Sequence, residues 1–331
     1  MTSPRRSLIV LGVAAASALS LAGCASGTAA GQSDEGAVSV VASTNVYGQI
    51  AEQIGGDLVQ VTSIVTNESQ DPHSFEPSAR DQLTVANADL IIENGGGYDA
   101  FIDALIESSG VEAPVVTAVE YSHDWPENAG HDEEAEGEAE DHADHEDHDH
   151  EGHDHVEGFN EHVWYDPHTV AHLAEGIANE LAELDPDNSD TYAANAEAFN
   201  AEIDALEASL AEIDAAHAGA EAFVTEPVPA YLIAAAGLEN VTPEAFTEAV
   251  EEGQDVAPAT LLESIRLFED GHVSVVVTNT QTAGAETAQI VGEADGRGIP
   301  SIAFSETLPE GQTYISWMQA NIEALSGALE S

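Results

Sequence analysis

Runs rich in β-branched residues alternate with helical stretches along almost the whole chain. That alternation confines the chain to parallel strands joined by crossover helices. VSVVAS at 38–43 reads as a strand, leads through NVYGQIAEQIGG as a helix, and is followed by a second strand, VQVTSIV, at 59–65. SARDQLTVANA is helical, DLIIEN at 89–94 a third strand, YDAFIDALIESS a helix, and PVVTAV at 114–119 a further strand. In the last third, EAFVTE, HVSVVVTN and PSIAFS read as strands. PAYLIAAAGLE, ATLLESIRLFED, ETAQIVGEADG and TYISWMQANIEALSGAL read as helices, and an acidic stretch runs to Asp255.

Two segments interrupt the alternation. The second is the longest helical signal of the chain, preceded by the helical run DPHTVAHLAEGIANELAELDP. Tyr192, Phe199, Ile203, Leu206, Leu210 and Ile213 recur at intervals of three, four and seven, the spacing of one apolar stripe. A helix over 189–216, with Asp187 or Ser189 as cap, would be about 42 Å long at about 1.5 Å per residue, enough to cross two domains. The expected fold is therefore α/β: two α/β lobes with parallel sheets, joined by one long helix, with the ligand site in the cleft between them. Residues 37–188 form the N-terminal lobe, 189–217 the linking helix and 218–331 the C-terminal lobe.

The first interruption, loop 121–160, reads HDEEAEGEAEDHADHEDHDHEGHDH at its centre. It carries His123, His131, His142, His145, His148, His150, His153 and His155, eight of the 14 histidines of the chain. Almost nothing in that centre could enter a core. Imidazole and carboxylate both ligate divalent metal, so the tract reads as an auxiliary, weak metal-binding loop; its plainer reading is a solvated charged loop.

Composition bounds the partners. Acids number 63 against five basic residues, a formal charge of −58, and two of the five, Arg5 and Arg6, precede the apolar run LIVLGVAAASALS. Residues 1–23 read as a signal peptide, and Leu21-Ala22-Gly23-Cys24 resembles a bacterial lipobox, implying cleavage before Cys24 and lipid on its thiol. Cys24 is the only cysteine, so no internal disulfide is available. Residues 25–36 are a Gly-, Ser- and Ala-rich flexible tether. The mature chain is expected outside the cytoplasmic membrane, held to its outer face by that lipid. With only Arg80, Arg266 and Arg297 left as basic residues, it repels nucleic acid and draws cations.

Six histidines lie outside the tract. His73 sits between Pro72 and Pro77 just after a strand, in a loop stiffened by both prolines. His162 sits just before a helix with Trp164 close by to exclude water. His168 and His172, four apart on one helix face, form a rival pair, but no acid between them is placed as in a zinc hydrolase motif. His217 and His272 follow helix ends and fit a role against helix dipoles.

Asp71-Pro72-His73-Ser74-Phe75-Glu76-Pro77-Ser78 and His162-Val163-Trp164-Tyr165-Asp166-Pro167 flank the histidine-rich insertion. Together with the lipobox and the long central helix, they resemble the cluster A-I metal-binding lipoproteins of bacterial ABC importers, ZnuA-like solute-binding proteins that take up zinc or manganese. The resemblance covers nearly the whole mature chain. It implies His73 and His162 as the first two metal ligands. It implies as third a histidine or glutamate after the first strand of the second lobe, here Glu226, and as fourth an acid after the last strand, here Glu306 where the family usually has Asp. It implies a central helix that braces the lobes. Two neutral imidazoles and two carboxylates would cancel the charge of a divalent ion. Glu76, Trp164 and Asp166 are near enough in sequence to support the imidazoles.

The metal expected is Zn2+, as transported ligand rather than cofactor, with Mn2+ or iron as the alternative. The histidine-rich loop is of a kind associated with zinc members, whereas two glutamates favour manganese. The expected partners are an ABC importer permease and its cytoplasmic ATPase, since no nucleotide-binding loop occurs in the chain; a monomer is expected. A secreted metalloenzyme would need an open coordination position and a general base, and no such base stands beside either histidine motif. The remaining alternative is a surface metal buffer or adhesin without a permease.

Overall fold

In the computed structural model of the chain, the described residues are 36–128, 156, 158–269, 271–282 and 284–331. The signal segment, Cys24, residues 25–35 of the tether and His131, His142, His145, His148, His150, His153 and His155 lie outside them. Gly36–Ser331 form one unit.

The first lobe is built on β1 (Val38–Thr44), β2 (Val59–Val65), β3 (Leu90–Glu93) and β4 (Val115–Thr117), in the order β2-β1-β3-β4 with every pair parallel. β1 is buried along nearly its whole length, as a strand covered on both faces must be. The connections run through α1 (Asn45–Gly55), α2 (Ala79–Val85) and α3 (Phe101–Ser109). After the tract come α4 (Pro167–Leu184) and the 29-residue α5 (Ser189–His217).

The second lobe repeats the plan. β5 (Glu221–Val224), β6 (Glu239–Asn240), β7 (Val273–Asn279) and β8 (Ser301–Phe304) lie in the order β6-β5-β7-β8, again parallel. Its helices are α6 (Ala230–Ala235), α7 (Glu244–Glu251), α8 (Pro258–Glu269), α9 (Ala285–Arg297) and α10 (Tyr314–Leu329). In each sheet the chain order reverses beside the first strand, and a crevice opens at the carboxyl ends there.

The apolar stripe of α5 is the expected one, with Ala196 added: Tyr192, Ala196, Phe199, Ile203, Leu206, Leu210 and Ile213 are all buried. They join one core that runs from the first sheet through α4 and α10 into the second. The start of α5 differs from expectation. Asn188 occupies the cap position with no side-chain bond to the helix; instead its amide donates to Asp185 Oδ2 at 2.6 Å, which also accepts from Tyr192 Oη. A short 3-10 turn, Pro186–Asn188, feeds the helix and makes a side-chain cap unnecessary. The acidic stretch before Asp255 also differs: its middle is α7, anchored by buried Phe246 against Phe223 in the core of the second lobe.

Hydrogen bonds stitch the lobes. Asn45, the first residue of α1, donates to Leu308 O at 2.8 Å and accepts from Leu308 N at 2.9 Å. Gln49 accepts from Tyr314 N at 2.7 Å, Tyr165 Oη donates to Ser305 O at 2.7 Å, and Tyr314 Oη donates to Trp164 O at 2.7 Å. Among the described residues no helix is long and apolar enough to cross a membrane.

Candidate metal centre

Asp71 makes the His73 loop rigid. Its carboxylate accepts from His73 N at 3.0 Å and Ser74 Oγ at 2.7 Å, capping a 3-10 turn over Pro72–Ser74 whose first residue is the buried proline. The His73 ring then meets the Tyr98 ring edge-on at 4.7 Å. Asp166-Pro167-His168 uses the same device at the start of α4: Asp166 accepts from the His168 and Thr169 amides. There, however, the histidine points to solvent. His168 and His172 are 48% and 51% exposed, with Glu207 and Glu175 as their respective neighbours at 3.9 Å, so the rival pair stands on an outer surface.

His162 is fully buried, and its orientation is fixed by a residue the sequence reading did not single out, Asn160. Asn160 Oδ1 accepts from His162 N at 3.2 Å and lies 2.7 Å from Nδ1. The Asn160 amide nitrogen donates to Pro227 O at 3.1 Å, which settles which end of the side chain faces the ring. Nδ1 therefore carries the hydrogen, and Nε2 faces Glu251 Oε1 at 3.7 Å. Trp164 packs 5.2 Å from the imidazole and 4.6 Å from Tyr98, an apolar wall of the expected kind. The backbone before His162 is tied down as well, since Asn94 donates to Glu161 O at 2.9 Å. Gly96, packed beside Val119 and Glu161, takes the left-handed φ of 66° that favours glycine.

The second lobe supplies the acids from strand ends. Glu226 follows β5, Asn279 ends β7, and Glu306 follows β8. Both carboxylates are 3% exposed. The Asn279 amide nitrogen donates to both, to Glu226 Oε2 at 3.0 Å and to Glu306 Oε1 at 2.6 Å, while its oxygen accepts from Gln281 N. Thr282 Oγ1 donates to Glu226 Oε1, and Tyr98 Oη to Glu306 Oε2 at 3.3 Å. Burial pushes Glu226 upward from its ordinary range, against the bonds from Thr282 and Asn279. Burial likewise pushes Glu306 up to about 7; the Asn279 bond opposes this, and the charges of Glu226 and Asp71 reinforce it. Two acids held this close in a dry site call for a positive charge.

His73 Nε2 lies 4.0 Å from Glu306 Oε2, and the His73 and His162 rings are 5.8 Å apart. Glu226 reaches this group through Asn279. The structure therefore draws all four sequence-derived residues to one crevice. It adds two acids that the sequence reading did not name: ligand atoms of His73, Glu161, His162 and Glu251 all lie within 4.8 Å of one another. Glu161 adjoins His162 and could have been suspected on that ground. Glu251 had no signal, because it lies in a run of acids at the end of α7. His123, the described member of the tract, is 63% exposed on its side chain, with Asp124 at 3.3 Å and Asp166 at 3.9 Å. Of the suspected supports, Trp164 packs on the site, Asp166 caps α4, and Glu76 is exposed. His217 closes the last turn of α5, and His272 is exposed.

The profile of the family described as zinc-uptake complex component A, periplasmic, matches residues 40–328. The chain belongs to this family. The component A family is one of metal-binding solute-binding proteins of ABC importers. One relative is the manganese-binding lipoprotein MntA of Halalkalibacterium halodurans, 30% identical over 190 residues, 57% of this chain and 54% of that one. Another is the zinc-binding lipoprotein AdcA of Streptococcus pneumoniae, 26% identical over 88% of this chain and 56% of that one. The chain thus spans little more than half the length of these two. It matches 94% of the manganese ABC transporter substrate-binding lipoprotein ScaA of Streptococcus gordonii, at 25% identity over 93% of its own length. Among solved structures, a crystal structure of ZnuA shares the fold at a TM-score of 0.65 and 21% identity, over 88% of this chain and 99% of that one. A laminin-binding adhesin of Streptococcus agalactiae does so at 0.67 and 22%, with the same coverage.

Proposed function

We propose that the chain is the extracytoplasmic binding component of a metal importer. It takes a divalent ion, Zn2+ in first place, between its lobes on His73, His162, Glu226 and Glu306, and delivers it to a membrane permease driven by a cytoplasmic ATPase. The observation that carries the reading is the meeting of two buried or half-buried imidazoles from one lobe with two buried acids from the other at the carboxyl ends of both sheets. Two carboxylates and two neutral imidazoles match the charge of a divalent ion, and the surplus of acid in the chain raises cation concentration at the cleft. The protein acts as a monomer held to the outer face of the membrane through lipidated Cys24. The tract from His123 to His155 gathers metal weakly.

Zinc is favoured by the order of affinities at mixed nitrogen and oxygen sites. Manganese is the second reading, favoured by the two further carboxylates, Glu161 and Glu251, beside the imidazoles. A calorimetric titration with zinc and with manganese tests both. Deleting 123–157 is expected to remove several weak equivalents and keep one tight one. Glu226→Ala is expected to weaken the tight site by about 100-fold or more, while His168→Ala leaves it within about twofold. Loss of the tight equivalent on deleting the tract, or the reverse ranking of the two substitutions, would reject this ligand set.

A further inference from the structure

Resting on the reading of the cleft as a divalent-metal site, we propose that Glu251 is the ligand an incoming ion meets first. With Glu161 it completes an outer set on His73 and His162, from which the ion passes inward to Glu226 and Glu306.

The geometry orders the ligands from outside to inside. Glu251 and His73 keep 17% and 21% of their side chains exposed, and both line an open cleft of about 680 Å³. Glu161 and His162, the two remaining members of the outer set, are 4% and 0% exposed, and Glu226 and Glu306 are 3% exposed each, so all four are reached past Glu251 and His73. An ion arriving from solvent therefore reaches Glu251 and His73 before the inner acids. Glu251 Oε1 stands 3.7 Å from His162 Nε2, so one ion can hold both. Only a small adjustment is needed to close the outer four around it, because their ligand atoms already lie within 4.8 Å of one another.

Two features make Glu251 suited to capture. It is the last residue of α7, whose final turn also carries Glu248. Carboxylates at a helix carboxyl end oppose the helix dipole, and a cation there relieves both. The helix is also anchored by Phe246 in the core, so Glu251 is presented across the cleft from a fixed element. The outer and inner sets share His73 and His162 and exchange one pair of carboxylates for another. The ion can therefore move inward with no change in ligand charge, which keeps the barrier low. His73 Nε2 is only 4.0 Å from Glu306 Oε2, so the imidazole can stay bound during the move.

The test is stopped-flow zinc binding to the full-length protein, read by the fluorescence of Trp164 beside His162, with a chelator strong enough to mask weak sites. Glu251→Gln is expected to slow zinc association about tenfold and to slow release by a similar factor, leaving the tight equilibrium constant within about threefold. Glu251→Asp, which withdraws the carboxylate by one methylene, should fall between, and its measurement stands if the Gln variant misfolds. Glu244→Gln, the same charge change at the far end of α7, should alter the rates less than twofold, which separates contact from general attraction of cations. Association within twofold of wild type in both Glu251 variants would overturn the proposal. So would affinity falling as far as in Glu226→Gln, through faster release, since Glu251 would then be a permanent ligand. His73→Ala is the control for the cleft itself: if that variant keeps the tight equivalent, the metal-site reading fails, whatever the Glu251 rates.

Discussion

Asn279 shows how much of a candidate metal centre can rest on a residue outside its proposed ligand set. Its single amide nitrogen donates to Glu226 and Glu306 together, and the Gln281 amide fixes the side chain by bonding its oxygen. Without that bridge the two acids repel and lose their shared orientation. Asn279→Ala is therefore expected to cost about 10- to 100-fold in zinc affinity while leaving one bound equivalent at saturation, measured by competition with a chelator of known affinity. An unchanged affinity would show that the acids are held by Thr282 and Tyr98 alone. At this scale the sequence was legible only in part. His73 stood out because two prolines frame it, and Asp71 proves to cap its loop. Glu226 and Glu306 were reachable only through resemblance, because one glutamate among 63 acids carries no local mark. Asn160 and Asn279 act through amide geometry, which appears only once the strand ends are brought together.

At the scale of elements, α5 was the most legible and α7 the least. A 29-residue helix repeats its apolar stripe often enough to be read without any partner, and all six predicted positions are buried. An eight-residue helix with Phe246 as its buried residue has no periodicity to detect, so it stayed hidden in its acidic surroundings. The stripe also predicts stability. Leu206, 4% exposed at the middle of α5, packs in the core that joins the lobes. Leu206→Ala is expected to lower the unfolding free energy by about 2–5 kcal/mol. Ser209→Ala, on the exposed face of the same helix, is expected to change it by less than about 0.5 kcal/mol. Urea unfolding of both variants checks the contrast; equal losses would mean that α5 does not brace the lobes through that stripe.

For the whole molecule, repetition of one strand order in both lobes sets two crevices against each other, and α5, α10 and the bonds from Asn45, Gln49 and Tyr165 hold them there. The same parallel sheet that positions the site also buries an acid with no part in it. Glu93 closes β3 at 7% exposure and accepts from Thr117 Oγ1 at 2.9 Å. Burial pushes its carboxyl up to about 8 from an ordinary 4.5; the charges of Asp99, Asp103 and Glu120 add to this and the Thr117 bond opposes it. Between those values the folded chain keeps a proton that the unfolded chain has released. Stability contributed by protonated Glu93 is therefore present at about pH 4.5 and declines as pH rises toward about 8. Asp99, pushed by burial to about 6, adds to the slope in the lower part of that window. Glu93→Gln keeps the shape and removes the titration. Urea unfolding in the presence of a chelator, at about pH 5 and about pH 8, should show wild type losing roughly 3 kcal/mol more than the variant across the interval. Parallel losses in the two proteins would mean that the carboxyl of Glu93 is already ionised in the folded state, and that the switch-point end of β3 is wetter than its packing implies.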